Sequence, residues 1–258
     1  LTPKKRNNMK LIYSLYLICV AIPLLLVITI FVSVSIILCS CFGLGGWSGH
    51  VFGSFWGWSF CRLLLLPVTV EGRELIDKHT SYVFVANHQG SFDIFLIYGF
   101  LHRHFKWMMK KSLRKNPFIG KASESAGHIF VDRSGPKAVM NTINQARNVL
   151  KDGVSLVVFP EGSRSFTGHM GYFKRGAFQL ADELQMPVVP LTINGSFDVF
   201  SRRSKWINWH PLHLTIHKPI PPRCQGAENI KATMTESYAA IESALPDKYK
   251  GMVENPDQ

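Results

Sequence analysis

Tyr82-Val83-Phe84-Val85-Ala86-Asn87-His88-Gln89-Gly90-Ser91-Phe92-Asp93 reads as a strand that stops and a helix that starts. Tyr82 to Ala86 is apolar and rich in β-branched and aromatic side chains, which suits a buried strand. Asn87 ends it, and Ser91 stands where an N-cap belongs, ahead of helical spacing through Leu101. The alternation continues downstream. His128-Ile129-Phe130-Val131, Val154 to Phe159, Val188 to Ile193 and Leu212 to Ile216 read as further strands. Pro136 to Lys151, Lys174 to Gln185 and Ala227 to Leu245 read as helices, the first with Pro at its start and Gly153 past its end. Such alternation predicts an α/β fold, an αβα sandwich.

In folds of this class, ligands bind at strand C-termini. His88 and Asp93 sit there, four residues apart across a turn, so their side chains can meet. A carboxylate on one imidazole nitrogen fixes the tautomer and leaves the other free to take a proton from an alcohol. The substrate then supplies the hydroxyl, and no protein nucleophile is needed. Ser91 lacks the Gly-x-Ser-x-Gly elbow of a nucleophile. No further metal ligands stand at useful spacing, so no metal is expected. The sequence also carries its own control. Gly90-Ser91-Phe92-Asp93 recurs as Gly195-Ser196-Phe197-Asp198, with Ile193 in place of His88. The shared four residues are a turn with a helix start; the histidine alone distinguishes the first copy.

Upstream the composition changes. The chain has 258 residues and a formal charge of +12, yet no Asp, Glu, Lys or Arg falls between Lys10 and Arg62. Leu11 to Cys41 is an uncharged run of 31 residues, against the roughly 20 a spanning helix needs. It is too long for the apolar core of a signal peptide. Pro23 is placed to kink it. Gly43 to Gly49 reads as a turn, and Val51 to Leu66 as a second, shorter apolar run with interfacial aromatics. Basic residues flank the two runs and are missing between them. The positive-inside rule then puts both ends on the cytosolic side, as in a hairpin that spans twice or dips into one leaflet. A single span followed by a buried helix is the other reading, and it would put the soluble part across the membrane. Residues 1–67 are thus expected to be a membrane-anchoring hairpin and 68–258 the catalytic domain. Four of the five cysteines lie in the apolar part, and a lone Cys224 elsewhere favours a reducing setting.

The residues around His88 resemble the first motif of the lysophosphatidic acid and glycerol-3-phosphate acyltransferases, Asn followed by His-x-x-x-x-Asp. The resemblance continues in order. Phe130-Val131-Asp132-Arg133 is similar to the second motif, Phe159-Pro160-Glu161-Gly162-Ser163-Arg164-Ser165 to the third, and Val189-Pro190-Leu191 to the short fourth. Lys174-Arg175-Gly176 falls where the family has a basic residue beside glycine. Coverage runs from about Val70 to Pro222, and the bacterial 1-acyl-sn-glycerol-3-phosphate acyltransferases are the expected branch. The resemblance implies His88 as base and Asp93 as its partner, with Arg133, Glu161 and Gly162 shaping the acceptor site. Arg164, Lys174 and Arg175 are the remaining cations for a phosphate. It also implies lysophosphatidic acid as acceptor, acyl-CoA or acyl-carrier protein as co-substrate, and no other cofactor. The location implied is the inner (cytoplasmic) membrane, among membrane lipids, with catalysis on the cytosolic side. Other acceptors remain open: glycerol-3-phosphate, another lysophospholipid or an aminolipid. A membrane-anchored basic binding module is the non-enzyme alternative. Arg103 to Lys121, basic and aromatic, reads as a headgroup-facing surface or a dock for the donor's phosphates; no nucleic acid is expected.

Overall fold

The computed structural model describes residues 3–116, 119–131 and 135–254. Among them, seven strands form one sheet in the order β1-β7-β6-β2-β5-β3-β4. The strands are β1 (Val68–Glu71), β2 (Val83–Ala86), β3 (Phe105–Lys110), β4 (Ile129–Val131), β5 (Ser155–Val158), β6 (Val188–Asn194) and β7 (Leu212–Ile216). All neighbours pair in parallel except β6 with β7. The expected α/β sandwich is therefore present, with a mixed rather than purely parallel sheet.

Both faces of the sheet are covered, which is why the central strands β2, β5 and β6 are buried along nearly their whole length rather than alternating. Strand geometry sends successive side chains to opposite faces. In β2, Phe84 and Ala86 join one core, and Val83 and Val85 the other. The first core contains α4 (Phe92–Phe100), through Leu96 and Ile97, and the end of α3 (Gly45–Leu63). The second is closed by α6 (Pro136–Val149), α7 (Gly176–Leu184) and α9 (Ala227–Ser243). Two short helices, α5 (Ile119–Ser125) and α8 (Ser196–Phe200), follow β3 and β6.

The N-terminal segment is helical from α1 (Pro3–Tyr16), through a π-helical turn at Leu17–Ala21, into α2 (Ile22–Cys41). The π turn lies just before Pro23, whose missing N–H leaves the preceding turn to find other partners. Asn8–Cys41 is the one described helix long and apolar enough to cross a membrane. It folds back on α3 as a hairpin. Trp56 Nε1 donates to Thr29 Oγ1 (2.9 Å), and the Tyr13 and Tyr16 hydroxyls donate to the carbonyls of Leu64 and Leu63.

The expected turn at Gly43–Gly49 is shorter than its composition suggested: Gly45 already begins α3. The glycines are there for approach. Gly45, Gly49, Gly53 and Gly57 recur every fourth residue and so share one helix face. A Cβ on Gly57 would lie 2.6 Å from the Phe95 carbonyl oxygen and 2.7 Å from the Gly99 nitrogen of α4. One on Gly49 would lie 2.5 Å from the Ala126 Cβ. So α3 buries its small residues against the domain, while Trp47, Phe55 and Trp58 remain exposed on it.

The basic stretch Arg103 to Lys121 is only partly a surface. Phe105 to Lys110 forms β3, an inner strand. Arg103 is buried and donates to the carbonyls of Asp77 and Thr80. Lys106 is also buried; its ammonium donates to Ala126 O (2.6 Å) and Gly46 O (3.3 Å). Desolvation pushes the Lys106 pKa down to about 8.

Candidate active site

Parallel pairing of β2, β5 and β6 brings their C-terminal ends to one rim. Asn87 fixes the first loop there. Its amide donates to Ile193 O (2.9 Å) and accepts from Ile193 N (2.8 Å), continuing the β2–β6 pairing by one side chain. The chain then turns, and His88 Nδ1 meets Asp93 Oδ2 at 2.7 Å. The same carboxylate oxygen accepts the Gly90 N–H at 2.9 Å. Asp93 is fully buried, whereas the His88 side chain retains 14% exposure. The expected side-chain cap by Ser91 is not formed; its Oγ instead accepts from Arg164 Nη1 at 2.6 Å.

The imidazole is held in plane as well as at one edge. Its ring stacks on Phe159 at 3.9 Å, and Phe159 stacks on Trp107 at 5.4 Å. With Nδ1 donating to Asp93, the lone pair of a neutral ring resides on Nε2.

The third-motif residues split into two roles. Glu161 was expected at the acceptor surface, but it is 1% exposed and lies behind the site. Its Oε1 accepts the His88 N–H (2.7 Å) and its Oε2 the Gly171 N–H (2.9 Å). Burial pushes its pKa up to about 8, against the opposing pull of those two N–H groups. The carboxyl thus ties the β5 loop to the histidine's own backbone, and Ser165 N adds a bond to His88 O at 2.8 Å. Gly162, by contrast, lines the open site. It has a φ of +77°, and an added Cβ would lie 3.0 Å from Lys174 Nζ.

His88, Gly162 and Lys174 sit in the wall of a cavity of about 740 Å³. From them it runs past Trp107 and Met109 of β3 and Ala122 and Ala126 beside α5. α2 adds Val32 and Ile36 to its wall, and α3 adds Gly53 and Trp56. The histidine therefore stands in the wall of a largely apolar chamber. Two buried polar side chains in that wall meet: Tyr98 Oη and His128 Nε2 lie 2.6 Å apart, and Trp107 N donates to His128 Nδ1. Burial pushes the His128 pKa down to about 3, so the ring is neutral.

The remaining candidates are scattered. Arg164 reaches Ser91, within the His88–Asp93 turn. Arg175 is exposed at the start of α7 and does not line the cavity. Arg133 lies outside the described residues. The contribution of α2 and α3 to the cavity was missed from sequence. Its signal was the four-residue glycine repeat, which announces close helix packing.

The second Gly-Ser-Phe-Asp copy occupies the equivalent turn after β6, beside the first. A Cβ on Gly90 would lie 2.7 Å from Ser196 Oγ. Its acid, Asp198, accepts from Lys248 Nζ (3.0 Å) and the Tyr249 hydroxyl (2.9 Å), a structural anchor for the C-terminal segment.

Comparison with known proteins bears on the family and the fold. A family model described as Acyltransferase matches residues 67–194. A 1-acyl-sn-glycerol-3-phosphate acyltransferase of Cocos nucifera is 31% identical over 210 residues, covering 81% of this chain and 66% of that protein. One from Saccharomyces cerevisiae is 35% identical over 161 residues, covering 61% and 53%. The chain spans about half to two thirds of the length of the curated relatives it matches. The crystal structure of the 1-acyl-sn-glycerophosphate (LPA) acyltransferase PlsC from Thermotoga maritima superposes with a TM-score of 0.73 at 26% identity, covering 92% of this chain and 97% of that one. These curated relatives are eukaryotic, so the expected bacterial branch draws no support from them. The chain belongs to the acyltransferase family.

Proposed function

We propose that this protein transfers a fatty acyl group from a thioester to the sn-2 hydroxyl of 1-acyl-sn-glycerol-3-phosphate, giving phosphatidic acid. The observation that carries the proposal is the Asp93-oriented His88 in the wall of a largely apolar cavity. His88 Nε2 takes the proton of the acceptor hydroxyl as its oxygen attacks the thioester carbonyl. The tetrahedral adduct then collapses, the C–S bond breaks, and the histidine returns the proton to the departing thiolate. Asp93 stabilises the imidazolium that forms between these steps. Glu161 is a positioning residue that holds the His88 backbone. Lys174 beside Gly162, and Arg164 beside Ser91, are the cations we assign to the acceptor phosphate. Arg133 and Arg175 join that set on the family resemblance alone.

The acyl chain occupies the apolar chamber. Its α2 wall belongs to a helix whose other faces carry exposed Leu26, Ile30 and Phe31. We therefore keep residues 1–67 as the membrane-anchoring part and 68–258 as the catalytic part, and place the catalytic part on the cytosolic side with acyl-CoA or acyl-carrier protein as donor. The alternative of a binding module without chemistry gives no reason for the His88–Asp93 geometry.

The test is acyl transfer by purified protein, with labelled thioester donors offered against a panel of lysolipids. His88→Ala is expected to lower kcat about a hundredfold to ten-thousandfold, the range of general-base catalysis. Wild-type rates in that variant would sink the base assignment. Failure of folded wild type to acylate lysophosphatidate, with another lysolipid accepted, would reassign the acceptor.

A further inference from the structure

The segment between α8 and β7 is used neither by the catalytic turn nor by the cavity. Ser201 to His210 contains Arg202, Arg203 and Lys205, then Trp206 and Trp209. No acidic residue occurs from Val199 to Ala227. Both tryptophans are exposed, at 41% and 54%. The loop is nonetheless built rather than loose. Ile207 packs on the core shared by α3 and α4, and Asn208 N donates to Val199 O at 2.9 Å.

Its position is set by three contacts. The guanidinium groups of Arg202 and Arg203 lie 4.2 and 5.7 Å from the ring centroid of Phe166, just past the Glu161-Gly162 turn. Trp209 Nε1 donates to Leu65 O at 2.8 Å, where α3 ends and Leu65 is itself exposed. Because β7 runs antiparallel to β6, its first residue lies at the rim where β2 and β6 finish. The loop thus bridges the catalytic rim and the exit of the apolar hairpin. An indole whose N–H is paired and whose ring is exposed suits a bilayer interface. Arg203 and Lys205 stand in a stretch of sequence without acidic residues, which suits anionic headgroups.

We propose that Ser201 to His210 is a second membrane contact, a strap whose cations engage anionic phospholipid headgroups and whose tryptophans enter the headgroup layer. It turns the catalytic rim toward the bilayer. The proposal rests on membrane attachment through the N-terminal helices, and the experiment separates the two.

Full-length protein is placed in detergent, in phosphatidylcholine nanodiscs, and in nanodiscs that also contain phosphatidylglycerol. Amide hydrogen exchange is then followed by mass spectrometry. Exchange of residues 201–210 is expected to slow severalfold in the anionic discs relative to detergent, and less in the neutral ones. Arg203→Gln combined with Lys205→Gln should remove the difference between the two discs, and Trp206→Ser should weaken protection in both. Unchanged exchange in α9, on the opposite face of the sheet, reports that each variant is folded. If Asn8–Cys41 is protected by discs while 201–210 exchanges as in detergent, the strap is wrong and the attachment stands. If neither segment responds, both are wrong. Equal protection in both discs, indifferent to the double variant, overturns the anionic-headgroup contact.

Discussion

At the residue scale, Glu161 shows how a motif acid serves a site it does not face. Its two oxygens accept N–H groups from His88 and Gly171. Burial raises its pKa from 4.5 to about 8, so the folded protein binds this proton more tightly than the unfolded chain does. Stability from this group is therefore complete below the unfolded value and declines as pH rises toward 8. Glu161→Gln cannot titrate. Thermal midpoints across that window should fall more steeply for wild type than for the variant, and parallel curves would refute the assignment. The variant also turns an amide N–H₂ toward one of the two backbone donors, so it should loosen the His88 turn and lower kcat. The His88–Asp93 pair was legible because both residues flank one turn. The strut was not, because the bonds from Glu161 join residues brought together only by sheet pairing. Arg103 and Lys106 misled for the same reason: each is a charge in sequence, but backbone carbonyls satisfy it inside the fold.

At the element scale, the central strands β2, β5 and β6 read correctly because both of their faces are covered. β3 was the exception, its apolar residues interrupted by two lysines and its place in the sheet set by pairing with β5. The end of the N-terminal hairpin was also misread, since glycine suggests a turn until its spacing is counted. The α3–α4 crossing depends on that spacing. Gly57→Val would force a side chain into the Phe95 carbonyl and the Gly99 backbone. Overpacking of this kind costs about 1–3 kcal/mol, more where backbone must move. A matching loss should appear in denaturant unfolding of the detergent-solubilised protein. Gly176→Ala, whose added Cβ meets nothing within 4 Å, should leave the unfolding midpoint unchanged or slightly raised.

At the scale of the whole molecule, the N-terminal hairpin and the α/β domain share one cavity, so α2 is structural to the site. Ile36 of α2 stands in the cavity wall. Ile36→Trp should take up chamber volume and shift preference toward shorter thioesters, read as kcat/KM across a chain-length series. An unchanged preference would mean that the acyl chain lies elsewhere. The same shared wall has a kinetic consequence. If acyl chain and lysolipid both reach His88 from a helix immersed in lipid, the relevant concentration is mole fraction in the plane, not molarity in the surrounding water. Turnover would then follow two-dimensional encounter, slowing when inert lipid dilutes the acceptor at constant bulk amount and recovering when the same molecules are crowded into less surface.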